Sequence, residues 1–342
     1  MRPALCCGKL FQADPVLEKF SNPMNSQPSV SVIIPVYNRI QYVGMALDSV
    51  LAQTYKNYEI IVVDDGSNVD VRKCLQNYID KIRFFPQTHA GPSAARNTGA
   101  KNALGKYLAF LDDDDLFEPD KLLNQVALLE ANPAAGFCYS SYYLFLGDET
   151  KRLVIPKEQL MPADQFAEAY FQFIDITMPS ILLRREAFLN TGLFDGKIIY
   201  NEDADLWLRM AARYPVVYSL YPSASVRQHS ERLSYKNPLM VKGLIEVLQS
   251  SLARQPELKE RLGSKANEKV TYLRYVLGWD YLFQNEKNKA ADNFVAYRDS
   301  DFRVHSKLWI NILLFLVKNV KPSIITGGHT KLVCARNKLN GS

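Results

Sequence analysis

The sequence predicts an α/β protein: a mostly parallel central sheet with helices on both faces, plus a helical C-terminal extension. Three observations predict it. Short β-branched runs alternate with amphipathic stretches, the loops between them are short, and the runs end in polar clusters at strand carboxyl ends. In such sheets ligands bind outside those carboxyl ends.

Ser31-Val-Ile-Ile-Pro-Val36 reads as the first strand, short and bounded by turn residues. Val43, Ala46, Leu47, Val50 and Leu51 recur at helical spacing and mark one apolar face. Tyr58 to Val63 is a second strand, stopped by Asp64-Asp65-Gly66-Ser67. A short helix over Val71 to Tyr78 and a third strand over Ile82 to Phe85 follow. Pro92 and Ser93 open a helix that runs to Ala103, with Gly105 as its stop. Lys106 to Leu111 is a strand that ends in Asp112 to Asp115, and Leu122, Leu123, Val126 and Leu129 mark the next helix.

Beyond Gly136 the connections lengthen. Phe137 to Phe145, Ser180 to Leu183 and Val216 to Leu220 read as strands, and Asp203 to Tyr214 as a helix. From about Pro238 onward the pattern is helical. The chain therefore divides into an N-terminal extension (1–28), an α/β domain (29–235) and a basic, mainly helical region (236–342).

Composition narrows the setting. With 342 residues, 47% hydrophobic and 23% charged, the chain has the make-up of a soluble globular protein. Its five cysteines are odd in number, widely spaced and without a CxxC pair, which argues against a disulfide framework or a zinc knuckle. Reduced thiols in the cytoplasm are expected. Residues 1–28 lack the apolar core of a signal peptide. Leu308 to Val317 is the nearest thing to a membrane span, but it is too short and contains Asn311.

Charge is distributed unevenly. From Lys236 onward eighteen Lys/Arg face nine Asp/Glu, and residues 302–342 hold seven basic and no acidic side chains. Two readings of this tail stand side by side. It makes peripheral contact with the inner face of the membrane, or Leu308 to Val317 packs as an ordinary buried helix. No nucleic-acid partner is expected.

The four adjacent aspartates repel one another by about 1 kcal/mol per neighbouring pair even when hydrated. A solvated acidic turn is one account of them. A hard cation shared with a phosphate is the other. No GxGxxG follows the first strand, and neither GxxxxGK[ST] nor G-x-S-x-G occurs.

What the chain does contain, in order, is Val32-Ile-Ile-Pro-Val-Tyr-Asn38, Ile61-Val-Val-Asp-Asp-Gly-Ser67 and Gly91-Pro-Ser-Ala-Ala-Arg-Asn97. Phe110-Leu-Asp-Asp-Asp-Asp115, Gly192-Leu-Phe-Asp195, Asn201-Glu-Asp-Ala-Asp-Leu-Trp-Leu-Arg209 and Arg227-Gln-His229 follow. Over about residues 29–235 this series resembles the inverting family 2 glycosyltransferases. Single motifs of this kind are weak signals; the ordered series is specific.

The resemblance implies a GT-A (nucleotide-diphospho-sugar transferase) fold, a nucleotide-sugar donor, expected to be UDP-linked, and Mg²⁺ or Mn²⁺. It implies an acceptor hydroxyl on a glycan or a lipid-linked molecule. Asp65 is then expected to accept the base N–H, with Pro35, Val36 and Tyr37 flanking the base and Arg96 reaching the diphosphate. The family's D-x-D motif maps onto Asp112, Asp113 and Asp114. The first two serve the nucleotide, and Asp114 ligates the metal. His229 contacts the metal or the pyrophosphate. Asp203 is the general base and Glu202 supports the acceptor site. Trp207 is expected in the core.

A sugar-nucleotidyl transferase is the competing enzyme, but it would want a Gly-rich loop after the first strand, and Pro35-Val-Tyr-Asn-Arg39 is not one. A non-catalytic carbohydrate-binding or scaffold relative would be expected to lose the acidic pairs. Here Asp65, Asp114 and Asp203 are all present.

Overall fold

The computed structural model describes residues 27–146, 151–155, 165–172, 176–229, 238–300, 305 and 307–322. The elements run β1 (Val30–Val36), α1 (Ile40–Leu51), β2 (Tyr58–Asp64), α2 (Val71–Cys74), β3 (Arg83–Pro86), α3 (Pro92–Asn102), β4 (Tyr107–Phe110). They continue β5 (Leu116–Phe117), α4 (Lys121–Ala131), β6 (Phe137–Ser140), β7 (Tyr142–Phe145), β8 (Arg152–Val154), α5 (Phe166–Gln172), β9 (Leu182–Arg184). The rest are α6 (Arg185–Thr191), α7 (Glu202–Ala211), β10 (Val216–Ser219), β11 (Ala224–Arg227), α8 (Pro238–Arg254), α9 (Pro256–Leu262), α10 (Lys265–Phe283), α11 (Lys287–Arg298) and α12 (Lys307–Asn319).

The central sheet has strand order β10-β6-β9-β4-β1-β2-β3, and β9 alone runs antiparallel to its neighbours. Strand periodicity builds both cores. In β1, Val32, Ile34 and Val36 face one layer and Ile33 the other; in β4, Tyr107 and Ala109 oppose Leu108 and Phe110. Helices α1 and α4 cover the first face, through Val43, Leu47, Leu122 and Val126. Helices α3, α6 and α7 cover the second, through Ala95, Phe188 and Trp207. Trp207 is fully buried there, as expected.

Pro35 sits in a central strand, a position where proline normally costs a ladder hydrogen bond. The cost is avoided because β1 pairs with β4 only as far as Ile33↔Phe110, whereas pairing with β2 continues to Val36↔Asp64. Beyond Ile33 the β1–β4 ladder stops. A crevice opens there, at the carboxyl ends.

Three local readings differ from the structure. The run Phe137 to Phe145 is two strands, β6 and β7, in different sheets, parting at Ser141. Serine hydroxyls hold the break: Ser140 Oγ donates to the Ser141 carbonyl, and the Ser223 N–H donates to the same oxygen. The helix over Val71 to Tyr78 ends at Cys74 and resumes as a 3-10 turn over Gln76–Lys81. Ser180 belongs to a 3-10 turn, with the strand starting at Leu182.

A second sheet, β5-β11-β7-β8, brings the chain after β11 back beside the aspartate run. Helices α8 to α12 form a third core with Ala167 and Phe171 of α5 and Ala204 and Leu208 of α7. Helix α7 is thus packed on two sides. The expected extension over 1–28 lies almost wholly outside the described residues, as does the boundary at 235/236. Four of the ten residues from Leu308 to Val317 are buried: Ile310, Leu313, Leu314 and Val317 join the third core. Leu308, Ile312 and Phe315 are exposed.

Candidate active site

The carboxyl ends of β1, β2 and β4, the start of α7 and the chain after β11 converge on one cleft of about 1010 Å³. Its lining includes Pro35, Val36, Tyr37, Asp65, Arg96, Asp112, Asp113, Asp114, Glu202 and Asp203. His229 lies just behind it, bonded to Asp114.

Asp65 follows β2, and its N–H donates to the Val36 carbonyl, locking two strand ends together. Its buried carboxylate accepts from Gln87 Nε2 (2.7 Å), the Ala90 N–H (2.9 Å) and the Gly91 N–H (2.9 Å), while His89 Nδ1 sits 3.0 Å from the Asp65 carbonyl and 2.9 Å from the carboxylate. It therefore shapes the whole 87–91 loop. Gly66 makes this possible: it adopts φ +75°, and a Cβ there would lie 2.6 Å from the His89 nitrogen. The His89 ring stacks on Tyr37, centroids 4.1 Å apart and planes 20° from parallel.

The aspartate run splits into separate tasks. Asp112 accepts from Arg96 Nη2 at 2.7 Å. Asp113 pairs with Arg39 Nη2 at 2.5 Å and is almost wholly buried. Burial pushes its carboxyl up to about 7, with Arg39 opposing and Asp114 and Asp112 reinforcing the shift. Asp114 Oδ2 lies 2.6 Å from Arg39 Nη1 and 2.9 Å from His229 Nε2. Asp115 is fully buried and accepts the Arg227 N–H at 2.9 Å, while Arg227 Nε donates to the Asp114 carbonyl. These bonds carry β11, and with it His229, to the aspartates.

Arg39 was not foreseen as a site residue. Its only sequence signal is its place two residues beyond Tyr37, in the loop after β1. Its guanidinium occupies the position of positive charge among the aspartates. Among the described residues no three His, Cys, Asp or Glu side chains form a ready metal shell. The donor chemistry nevertheless fits a hard divalent ion that takes part of its shell from phosphate. Asp114 and His229 share a corner, and Asp113, paired with Arg39, adds a second buried carboxylate to the run.

Glu202 and Asp203 form the first turn of α7, where the helix dipole favours carboxylates. Asp203 Oδ1 accepts the Ala204 N–H at 2.8 Å. Burial, then the adjacent Glu202 charge, raises its carboxyl to about 7. Arg96, 6% exposed, spans the site: Nη1 donates to Glu202 and Nη2 to Asp112, both at 2.7 Å. A cation–π contact with Phe194 supports it, 5.7 Å from the ring centroid.

The remaining motif residues are scaffolding. Asn97 and Phe194 exchange two hydrogen bonds, fastening α3 to the Gly192-Leu-Phe-Asp195 turn. Arg209 donates to the Thr191 and Leu193 carbonyls and pairs with buried Asp205 at 2.7 Å, and Arg254 of α8 pairs with the same carboxylate.

The family model described as glycosyl transferase family 2 matches residues 31–192. The match spans just under half of the chain. The matched segment carries six of the seven central strands, the 87–91 loop and the aspartates, while α7, β10 and His229 lie beyond it. An uncharacterised glycosyltransferase of Rickettsia conorii is 39% identical over 188 residues, covering 54% of this chain and 30% of that protein. Glycosyltransferase GlyA of Streptococcus pneumoniae is 40% identical over 132 residues, covering 35% of this chain and 19% of its own. The chain spans between 30% and 58% of the length of the Rickettsia relatives it matches.

The structure of S. aureus TarS 1-349 with UDP superposes with a TM-score of 0.59 at 15% identity, covering 87% of this chain and 92% of that one. A mannosyltransferase of Pyrobaculum calidifontis, solved with GDP-Man and Mn²⁺, gives 0.55 at 17% identity, covering 94% and 92%. The matched segment and these neighbours establish the GT-A fold.

Proposed function

We propose that the protein is a metal-dependent, inverting glycosyltransferase that uses a nucleotide-sugar donor and a hydroxyl acceptor. The observation that carries this reading is Arg96. One buried guanidinium joins Asp112, on the aspartate side of the cleft, to Glu202, beside the candidate base. Donor and acceptor chemistry are thus held one side chain apart.

The base of a nucleotide finds an aromatic surface in Tyr37 and a hydrogen-bond acceptor in Asp65, and UDP is the expected carrier. Asp112 and Asp113 face the ribose and diphosphate. Asp114 and His229 would hold Mg²⁺ or Mn²⁺, which supplies charge neutralisation to the departing diphosphate. Asp203 takes the proton of the acceptor hydroxyl as its oxygen bonds to the anomeric carbon. The bond from that carbon to the diphosphate oxygen breaks, and a single displacement inverts the centre.

The family match favours transfer over the sugar-nucleotidyl reading, and the intact acidic pairs favour it over a non-catalytic relative. The structural neighbours crystallised with UDP and with GDP-Man and Mn²⁺ support a nucleotide donor and a divalent ion. Calorimetric titration with UDP, with and without Mn²⁺, tests the donor side. Binding that needs the ion is expected; no binding in either condition contradicts it.

No helix among the described residues is long and apolar enough to cross a membrane. Helix α12 nevertheless exposes Leu308 (70%), Ile312 (45%) and Phe315 (64%) along one stripe, flanked by Lys307, Lys318 and Lys321. With no acidic residue from 302 onward, this face suits an anionic lipid surface.

A further inference from the structure

The cleft changes character along its length. On the side of β1, β2 and β4 it is lined by Asp65, Arg39 and the aspartates. Its lining also includes Tyr170, Ile176, Ile199, Met240 and Leu244, together with Thr177, Asn201 and Lys269, with Leu248 fully buried behind them; these belong to neither the metal site nor the nucleotide site. Met240, Leu244 and Leu248 stand at four-residue intervals and so form one face of α8.

That face is fitted closely to the loop bearing the candidate base. Asn201 Nδ2 donates to the Met240 carbonyl at 2.7 Å. A Cβ on Gly243 would come within 2.9 Å of Tyr200 Cβ and 3.0 Å of its carbonyl oxygen, so α8 touches the backbone just before Glu202. The apolar wall is therefore continuous with the place where the acceptor hydroxyl must meet Asp203. Ile199 is 75% exposed, the most exposed large hydrophobic side chain among the described residues. Covering that side chain with an apolar group removes its surface from water, which is favourable in proportion to the area buried.

We infer that the acceptor is an amphiphile, whose hydroxyl-bearing head faces Asp203 and whose apolar portion lies along Ile199 and the Met240–Leu244 face of α8. This deepens the transferase reading and rests on it. A purely saccharide acceptor would instead need only stacking on Tyr170 and Tyr200.

Methyl, hexyl and octyl β-glucosides, each below its micelle concentration, serve as probes with UDP and Mn²⁺ present. Affinity is expected to rise about tenfold from hexyl to octyl, in line with burial of two methylenes. Leu244→Asp and Ile199→Asp should abolish that rise. Ile199, being exposed, keeps the test valid should Leu244→Asp fail to fold; UDP affinity is the folding control. Phe315→Asp on α12 should leave the rise unchanged. Equal binding of all three glucosides, or a rise that survives both cleft variants, overturns the inference. Absence of UDP binding with a chain-length rise lost in Ile199→Asp overturns the donor reading and leaves the amphiphile site standing.

Discussion

Nε2 of His229 lies 2.9 Å from Oδ2 of Asp114, joining side chains 115 positions apart. The juxtaposition depends on Asp115, which anchors the Arg227 backbone. Asp114→Asn is expected to remove ion-dependent UDP affinity and leave the thermal transition in place. His229→Ala should weaken it at least tenfold. Calorimetry checks both, and equal UDP affinity with and without Mn²⁺ in all three proteins would falsify the metal assignment.

His89 competes for the groups a base requires. Its ring covers Tyr37 and its Nδ1 sits 2.9 Å from an Asp65 oxygen. His89→Ala should therefore tighten UDP severalfold, whereas Asp65→Ala should lose UDP binding. Asp65→Ala should also cost about 1–3 kcal/mol of stability, since the Ala90 and Gly91 N–H groups lose their acceptor. UDP affinity unchanged in both variants would move the base elsewhere.

Asp203 ties activity to pH. With its carboxyl raised to about 7, the ionised base accumulates only as pH climbs through that value. The kcat/KM for transfer should rise from pH 6 to 8. Stability runs the other way. Between about pH 4 and 7 the folded state binds the extra proton, so stability falls across that window as pH rises. Asp203→Asn should lose transfer by about 10²-fold or more and gain about 1–3 kcal/mol at pH 8, with no gain at pH 4. Rate profiles and melts at both pH values decide it; a flat profile with unaltered melts removes Asp203 from the role.

Arg96→Met leaves Asp112 and Glu202 without their shared cation. Breaking such a buried pair costs about 3–5 kcal/mol. Arg96→Lys should recover part of the stability but not the bridge, because one ammonium lacks the two-pronged reach. Denaturant melts showing Met and Lys equally harmless would reduce Arg96 to a bystander.

The strands of the central sheet were legible because β1 and β2 are short and β-branched, β4 is short, apolar and buried, and Asp65 and Asp112 mark where they stop. The antiparallel run of β9 was not, since Leu182–Arg184 looks the same in either direction and only its partners Tyr107 and Phe137 fix it. Asp203 could be picked out by its motif. Arg39 and the α8 wall could not: a lone arginine after a strand and leucines four apart on a helix are common, and only tertiary packing turns them toward the cleft.

Leu308, Ile312 and Phe315 are expected to bind anionic vesicles. Leu308→Asp together with Phe315→Asp should cut co-sedimentation at low salt about tenfold or more without changing UDP affinity. Equal sedimentation of the variant and the wild type would leave α12 as a packing helix alone.

The most direct test is release of nucleoside diphosphate from a panel of UDP- and GDP-sugars, with Mn²⁺ or Mg²⁺, by the full chain and by Asp114→Asn. Turnover of one donor, dependent on the ion and lost in the variant, is predicted. No turnover of any donor, or equal turnover by both proteins, would contradict a metal-dependent transferase.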